Sequence, residues 1–223
     1  NEAKKILSKI DVEKKNEDSL KVLYFQGILK KAQNNYNEAK TIFQKCLEID
    51  KKFEHAYIAL ASIYKVQNNF NECINLLNQV ICIDSNNFSA MLELGIIYSH
   101  LGEVNKGISL LKKSLEIDPF NRETKFNLGQ MQIYNKEFEE GWINYKSRWF
   151  YHNFKSKMFK SQKKLLSNLN ELKNVFIWAE QGIGDQIMYG SILPEISKLS
   201  KKVTVKLDKS LIKIFERKHK NIN

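Results

Sequence analysis

The chain has 223 residues, 43% of them hydrophobic, which is enough for one large domain or two small ones with a real core. No apolar run approaches the ~20 residues that a membrane-spanning helix needs, and no secretory signal is visible, so no transmembrane segment is expected. The net charge of +11 is uneven: residues 1–142 hold 19 basic and 19 acidic side chains, and the whole excess falls on residues 143–223, which hold 17 and 6.

A basic C-terminal third is suited to phosphate, nucleic acid or an anionic membrane. The reading preferred here is a solvated Lys-rich surface, with no nucleic-acid partner. Cys46, Cys73 and Cys82 are odd in number, form no CxxC pair and have no histidine at ligand spacing. Neither a disulfide framework nor a zinc site is expected, which points to a reducing compartment, so the expected location is cytoplasmic. His55, His100, His152 and His219 are scattered, so no metal site is expected.

In chain order, the first segment is "NEAKKIL" at residues 1–7, which reads like "NEAKTIF" at 37–43. Residues 1–19 are therefore expected to be the remnant of an earlier helical repeat, with a fraying helix, in a piece of a longer protein. Three segments then align without gaps at a spacing of 34, namely 20–53, 54–87 and 88–121, and a fourth runs from Arg122 to about residue 150. Small residues recur at the eighth place (Gly27, Ala61, Gly95, Gly129) and the twentieth (Ala39, Cys73, Gly107, Gly141). Such positions let two helices approach closely. A short polar turn separates them, as "QNN", "QNN", "LGE" or "NKE", and apolar residues run at helical spacing down the second helix, as in Ile42, Phe43, Cys46 and Leu47.

Period and residue types resemble the tetratricopeptide repeat, a helical hairpin of 34 residues. The family's terminal proline is present as Pro119 but is Lys51 and Ser85 in the first two copies, which predicts weaker helix termination there. The resemblance implies a mainly α fold, a right-handed superhelix whose inner groove is lined by the first helices and takes a peptide or protein partner. Candidate groove residues are Tyr24, Ile28, His55, Ile58, Leu92, Ile96, Phe126 and Gln130. They form no ladder of one residue type.

Trp142, Tyr145 and Trp149 are spaced three and four apart, which predicts one aromatic helix face closing the last repeat. Residues 151–172 are basic and weakly periodic and read as a linker. At Lys173 the period changes. "NVFIW" reads as a strand, "GIGD" as a turn, "DQIMYGSILPEISKL" as a helix kinked at Pro194, "KVTVKLD" as a strand and "KSLIKIFERKH" as a helix. That order opens a doubly wound parallel sheet, so residues 173–223 are expected to be a truncated Rossmann-like α/β unit.

The loop "AEQGIGDQIMYG" admits three readings. A dinucleotide fingerprint uses Gly182 and Gly184, with Asp208 for the ribose, but its third glycine is Ile187 and Asp185 stands where phosphate would lie. A structural reading makes Asp185 a cap of the helix. The third is a resemblance: "WAEQGIGDQIMYGSILPEI", following "GWINYKSRW", is similar to the opening of the GT-B-type glycosyltransferase domain that follows tetratricopeptide repeats in bacterial proteins, akin to heptosyltransferases. It implies transfer of a sugar from a nucleotide-sugar to an acceptor hydroxyl without a cofactor, with Asp185 as the catalytic base and Glu180, Gln181, Gly182 and Gly184 beside the substrate. It also implies that this chain alone is inactive. The alternative is a non-catalytic repeat scaffold that binds proteins.

Overall fold

A computed structural model describes residues 17–150, 173–179 and 182–218. The expected remnant up to residue 16 and the expected linker at 151–172 lie outside these residues. The chain divides into two compact units, with the boundary between Arg148 and Trp149.

The first unit is a tetratricopeptide-type superhelix of paired helices. Its described helices are α1 (Glu17–Ala32), α2 (Tyr36–Ile49), α3 (Glu54–Val66), α4 (Phe70–Ile83), α5 (Phe88–His100), α6 (Val104–Ile117), α7 (Arg122–Tyr134) and α8 (Phe138–Tyr145). Each hairpin closes where the small residues predict. A Cβ added to Gly95 would stand 2.8 Å from Leu111 Cγ, one on Gly107 would stand 2.8 Å from the Gly95 carbonyl oxygen, and Cys73 Sγ donates to the Ala61 carbonyl at 3.1 Å. The second helices carry fully buried Phe43, Leu77 and Leu111 at the same register. A full side chain of this kind, removed from water, is worth about 1.5–3 kcal/mol.

Two local devices repeat with the same period. Within each hairpin, Asn34, Asn68, Gly102 and Lys136 adopt positive φ, of 61°, 57°, 80° and 65°. Between hairpins, the carboxylates of Asp50, Asp84 and Asp118 accept the backbone N–H groups of Lys52, Asn86 and Phe120. Asn87 and Asn121 then cap the next helix by accepting the N–H groups of Ala90 and Thr124, each at 2.9 Å. The second helices end at Ile49, Ile83 and Ile117, one register in all three repeats. The weaker termination expected at Lys51 and Ser85 is therefore absent, because the aspartate turn stops each helix before the proline position is reached.

The aromatic junction also departs from its spacing. Helix α8 ends at Tyr145 and tightens into a 3-10 turn, Lys146–Phe150. Trp149 is consequently off the helix face that holds Trp142 and Tyr145. Tyr145 stacks on Phe126 at 5.6 Å and meets Trp142 edge-on at 5.7 Å.

In the second unit, β1 (Asn174–Trp178) leads through Gly182 into α9 (Ile183–Gly190) and α10 (Leu193–Leu199), then β2 (Lys202–Lys206), a 3-10 turn (Lys209–Leu211) and α11 (Ile212–Lys218). The strands are parallel, with Val175 opposite Val203 and Ile177 opposite Val205. Trp149 lies 6.5 Å from Trp178, ring to ring. Leu193, Val203 and Leu211 form the buried centre, and Gly190 lets the Phe215 ring rest on α9. Pro194 does not kink a single helix. It stands in the first turn of α10, where its missing N–H removes no helical bond. The sheet has two strands among the described residues, the two expected here, and two strands alone do not show a Rossmann-like unit.

Candidate functional site

The first helices α1, α3, α5 and α7 lie side by side, and side chains tie neighbours together across the array. The Tyr24 and His55 rings meet edge-on at 5.9 Å, Lys31 Nζ donates to Ser62 Oγ at 2.9 Å, and Lys65 Nζ pairs with the Glu93 carboxylate. On this face Tyr24, Ile28, Ile58 and Ile96 are half-buried, and His55 and Gln130 are exposed. Tyr24 sits among the rings of Phe43, Phe53 and His55, and burial pushes its phenol above its ordinary value. Leu92 and Phe126, expected beside them, are each 7% exposed. Leu92 belongs to the core with Ile108 and Leu111, and the Tyr145 ring stacks on Phe126, so neither offers a contact surface.

Sequence reasoning missed the charged part of this face. Lys31 and Lys65 stand 34 residues apart, at the twelfth place of the first two repeats, but Ser99 and Ile133 hold that place in the next two, so the lysines are a pair and not a ladder. Lys31 is half-buried, and burial lowers its ammonium from the ordinary value, with Lys65 adding to the effect and Glu93 opposing it. Glu93, at the sixth place of the next repeat, has no equivalent acid in its neighbours.

In the second unit, the carboxyl ends of the parallel strands bring together the loop after β1 and the loop after β2. The side-chain Oε1 of Gln186, in the first turn of α9, accepts the Asp208 backbone N–H at 2.8 Å. Asp208 Oδ1 in turn accepts the Ser210 N–H at 2.9 Å and its hydroxyl at 2.6 Å, and these bonds hold its carboxyl below the ordinary value. Asp208 thus caps the following turn.

Gly182 is the residue before α9, with φ −61° and ψ 169°, a conformation open to any residue. A Cβ on Gly184 would have nothing within 4 Å, and one on Gly182 would be 3.8 Å from Asp185 Oδ2. The local fold therefore demands glycine at neither place. Asp185 occupies the third position of α9, half-buried, and its side chain does not cap the helix. Glu180 and Gln181 lie outside the described residues. No group of three metal-ligating side chains occurs among the described residues, and no described helix is long and apolar enough to cross a membrane.

Models of the tetratricopeptide repeat match residues 31–94 and 88–121. The hairpins of the first unit are tetratricopeptide repeats. No curated protein matches the chain. Among solved structures, the chain is similar to a structure described as a functional characterization of Pseudomonas aeruginosa pilF, at 18% identity and a TM-score of 0.55 over 59% of this chain and 60% of that one. It is similar to MamA from Desulfovibrio magneticus RS-1 at 21% identity and a TM-score of 0.51, over 60% of this chain and 74% of that one. A third likeness is to the first TPR of Spaghetti (RPAP3) bound to the HSP90 peptide SRMEEVD, at 19% identity and a TM-score of 0.50, over 54% of this chain and 96% of that one. These likenesses concern the fold.

Proposed function

We propose that the repeat array is a docking module that holds an extended segment of a partner protein on the face formed by its first helices. The observation that carries this reading is the stripe of Tyr24, Ile28, Ile58 and Ile96, apolar and only half covered, on helices held in one register by cross-helix contacts. A face of this kind gives apolar anchors and exposed polar neighbours such as His55 and Gln130. The similar Spaghetti repeat, which carries a peptide, supports the reading. The test is binding of degenerate, fluorescein-labelled peptide pools by anisotropy. Binding that is lost on substitution of Ile28 and Ile58 supports docking on this face, and binding indifferent to them sinks it.

A second reading concerns the α/β unit, and we propose it from the resemblance of "EQGIGD" to GT-B-type glycosyltransferases. It takes support from the parallel β1–β2 pair with a helical crossover and from a carboxylate, Asp185, left free of helix capping beside the carboxyl ends of the strands. Further support comes from Ile183, Ile187, Met188 and Tyr189 on α9 and Ile192 just after it, which leave this surface exposed and apolar, as a layer that packs on further strands or helices would be. In this reading Asp185 accepts the proton of an acceptor hydroxyl while that oxygen attacks the anomeric carbon and the nucleoside diphosphate departs with the electrons of the broken C–O bond. Glu180, Gln181, Gly182 and Gly184 would line the donor or acceptor. The nucleotide-sugar is substrate, and no cofactor is needed. A cytoplasmic setting is proposed on the same footing, from three free thiols. Full-length protein assayed for nucleotide-sugar turnover with Asp185→Asn decides it: undiminished turnover removes Asp185 from the chemistry.

A further inference from the structure

We propose that helix α8 pairs with α8 of a second copy of this chain, antiparallel about a two-fold axis between Trp142 and Ile143, with Glu139 of each copy against Lys146 of the other. The inference is independent of the docking reading, because this surface belongs to a second helix and not to the face of the first helices.

Repeat register identifies the surface. At the seventeenth and twenty-first places, the first three repeats are covered by the hairpin that follows each. The Phe70 ring stacks on His100 at 6.2 Å, the Lys40 ammonium lies 4.3 Å over the Tyr64 ring, and Ile108 packs with Leu128 and Met131 in the core. The fourth repeat puts Phe138 and Trp142 at these places, where they are 55% and 47% exposed. At the twenty-second place the first three repeats carry Thr41, Asn75 and Ser109, all exposed, whereas the fourth carries Ile143, 60% exposed. At the eighteenth, Asn37, Asn71 and Asn105 give way to Glu139. Another hairpin stacked as the first four are would leave the twenty-second place in solvent, so it would not account for an isoleucine there.

Gly141 and Asn144 turn toward α7, where the Asn144 amide donates to Gln132 Oε1 at 2.8 Å. Glu139, Trp142, Ile143 and Lys146 follow one another at i, i+3, i+4 and i+7, a single stripe on the opposite side of the helix. Lys146 keeps helical φ and ψ of −56° and −24°, so the stripe holds its register past Tyr145. Its centre is apolar, an exposed acid stands toward the N-terminal end and an exposed base toward the C-terminal end, so the stripe is complementary to its own reverse. An antiparallel copy brings Trp142 against Ile143 and Glu139 against Lys146, twice each, as an isologous contact requires. Burial of the apolar centre supplies the attraction, and the flanking charges set the orientation. A foreign helix would need a base and an acid at the same separation in reverse order, and a second copy carries both. One short helix per copy makes a weak dimer, of the class that buries less than about 1,200 Å².

The experiment is sedimentation equilibrium of the full chain over protein concentrations on the order of 10–500 μM. The unaltered chain is expected to pass from monomer to dimer across that range and to stop there. Ile143→Ser should weaken association about tenfold or more, and Glu139→Lys and Lys146→Glu should each weaken it by setting like charges opposite one another. Both reversals in one chain should restore the dimer. An equimolar mixture of the two single-reversal variants should restore it as well, because every facing pair is again opposite in sign. Circular dichroism confirms that each variant is folded, and the restored dimer separates a lost contact from a damaged fold. A chain that stays monomeric throughout, assembly that grows past the dimer, a dimer unmoved by Ile143→Ser, or charge-reversed variants that regain nothing on mixing overturns the proposal.

Discussion

Gly27 and Phe43 meet so closely that a Cβ on the glycine would stand 2.5 Å from Phe43 Cε1. Phe43 is fully buried, and its ring cannot retreat without opening the core around Leu23, Leu60 and Ile63. Alanine in a helix interior ordinarily stabilises by about 1 kcal/mol relative to glycine. Here the expected sign is reversed. Gly27→Ala should cost about 1–3 kcal/mol through overpacking. Gly129→Ala should cost more, because its Cβ would meet the backbone of Asn144 and Tyr145, which no rotamer can move. Urea denaturation of each variant, read by circular dichroism, measures both.

Lys136 occupies the left-handed region at φ 65°, at the place where the other hairpins put Asn34, Asn68 and Gly102. A lysine pays about 1–2 kcal/mol for that conformation, and glycine does not. Lys136→Gly gives back part of the gain through the unfolded chain, so the expected net stabilisation is about 0.5–1 kcal/mol. Thermal or urea unfolding of the variant checks it, and a loss of stability would show that the lysine side chain has an offsetting contact.

Burial pushes the thiols of Cys46 and Cys73 up to about 11, while Cys82 is exposed. At mildly alkaline pH the folded chain should expose one fast-reacting thiol to an aromatic disulfide reagent and release the other two on denaturation. The same shift has a stability consequence. Above the ordinary thiol value near 9, the unfolded chain loses protons that the native chain keeps, so stability should fall as pH rises from about 9 to 11. Substituting Cys46 and Cys73 by alanine should flatten that part of the profile.

Asp185 neither caps its helix nor is fixed by another described side chain, so Asp185→Asn should lower stability by less than about 1 kcal/mol, the scale of an acid in a first helical turn. On the transferase reading the same change should lower turnover of the full-length protein by about a hundredfold or more. Gly184→Ala complements it: with nothing near its Cβ it should be neutral or slightly stabilising, and any loss of turnover then reflects a substrate rather than the fold.

The repeats were legible in the sequence because their period is unbroken and the close-approach positions admit only small residues. The strands and helices after Lys173 were legible from the change of period. Other features were not. Termination by Asp50, Asp84 and Asp118 was hidden because a proline looked like the stop signal, although the three aspartates recur at one register. The burial of Leu92 and Phe126 depends on Ile108, Leu111 and Tyr145 from other helices, which single-helix spacing does not reveal. The Lys31–Ser62–Lys65–Glu93 cluster joins the twelfth, ninth, twelfth and sixth places of three repeats. Its members come together only through the offset between stacked hairpins, and the 34-residue spacing of the two lysines was its one visible trace.

The central claim is that the face of the first helices receives a partner segment, and the most direct measurement is the affinity of the full chain for the degenerate peptide pools with that face altered. Ile28→Gln with Ile58→Gln should weaken binding about tenfold or more while the chain stays folded, and Gln79→Ala, on the exposed side of the second helix α4, should leave it unchanged. Unchanged affinity in the double variant, or an equal loss on substitution of Gln79, would contradict the account.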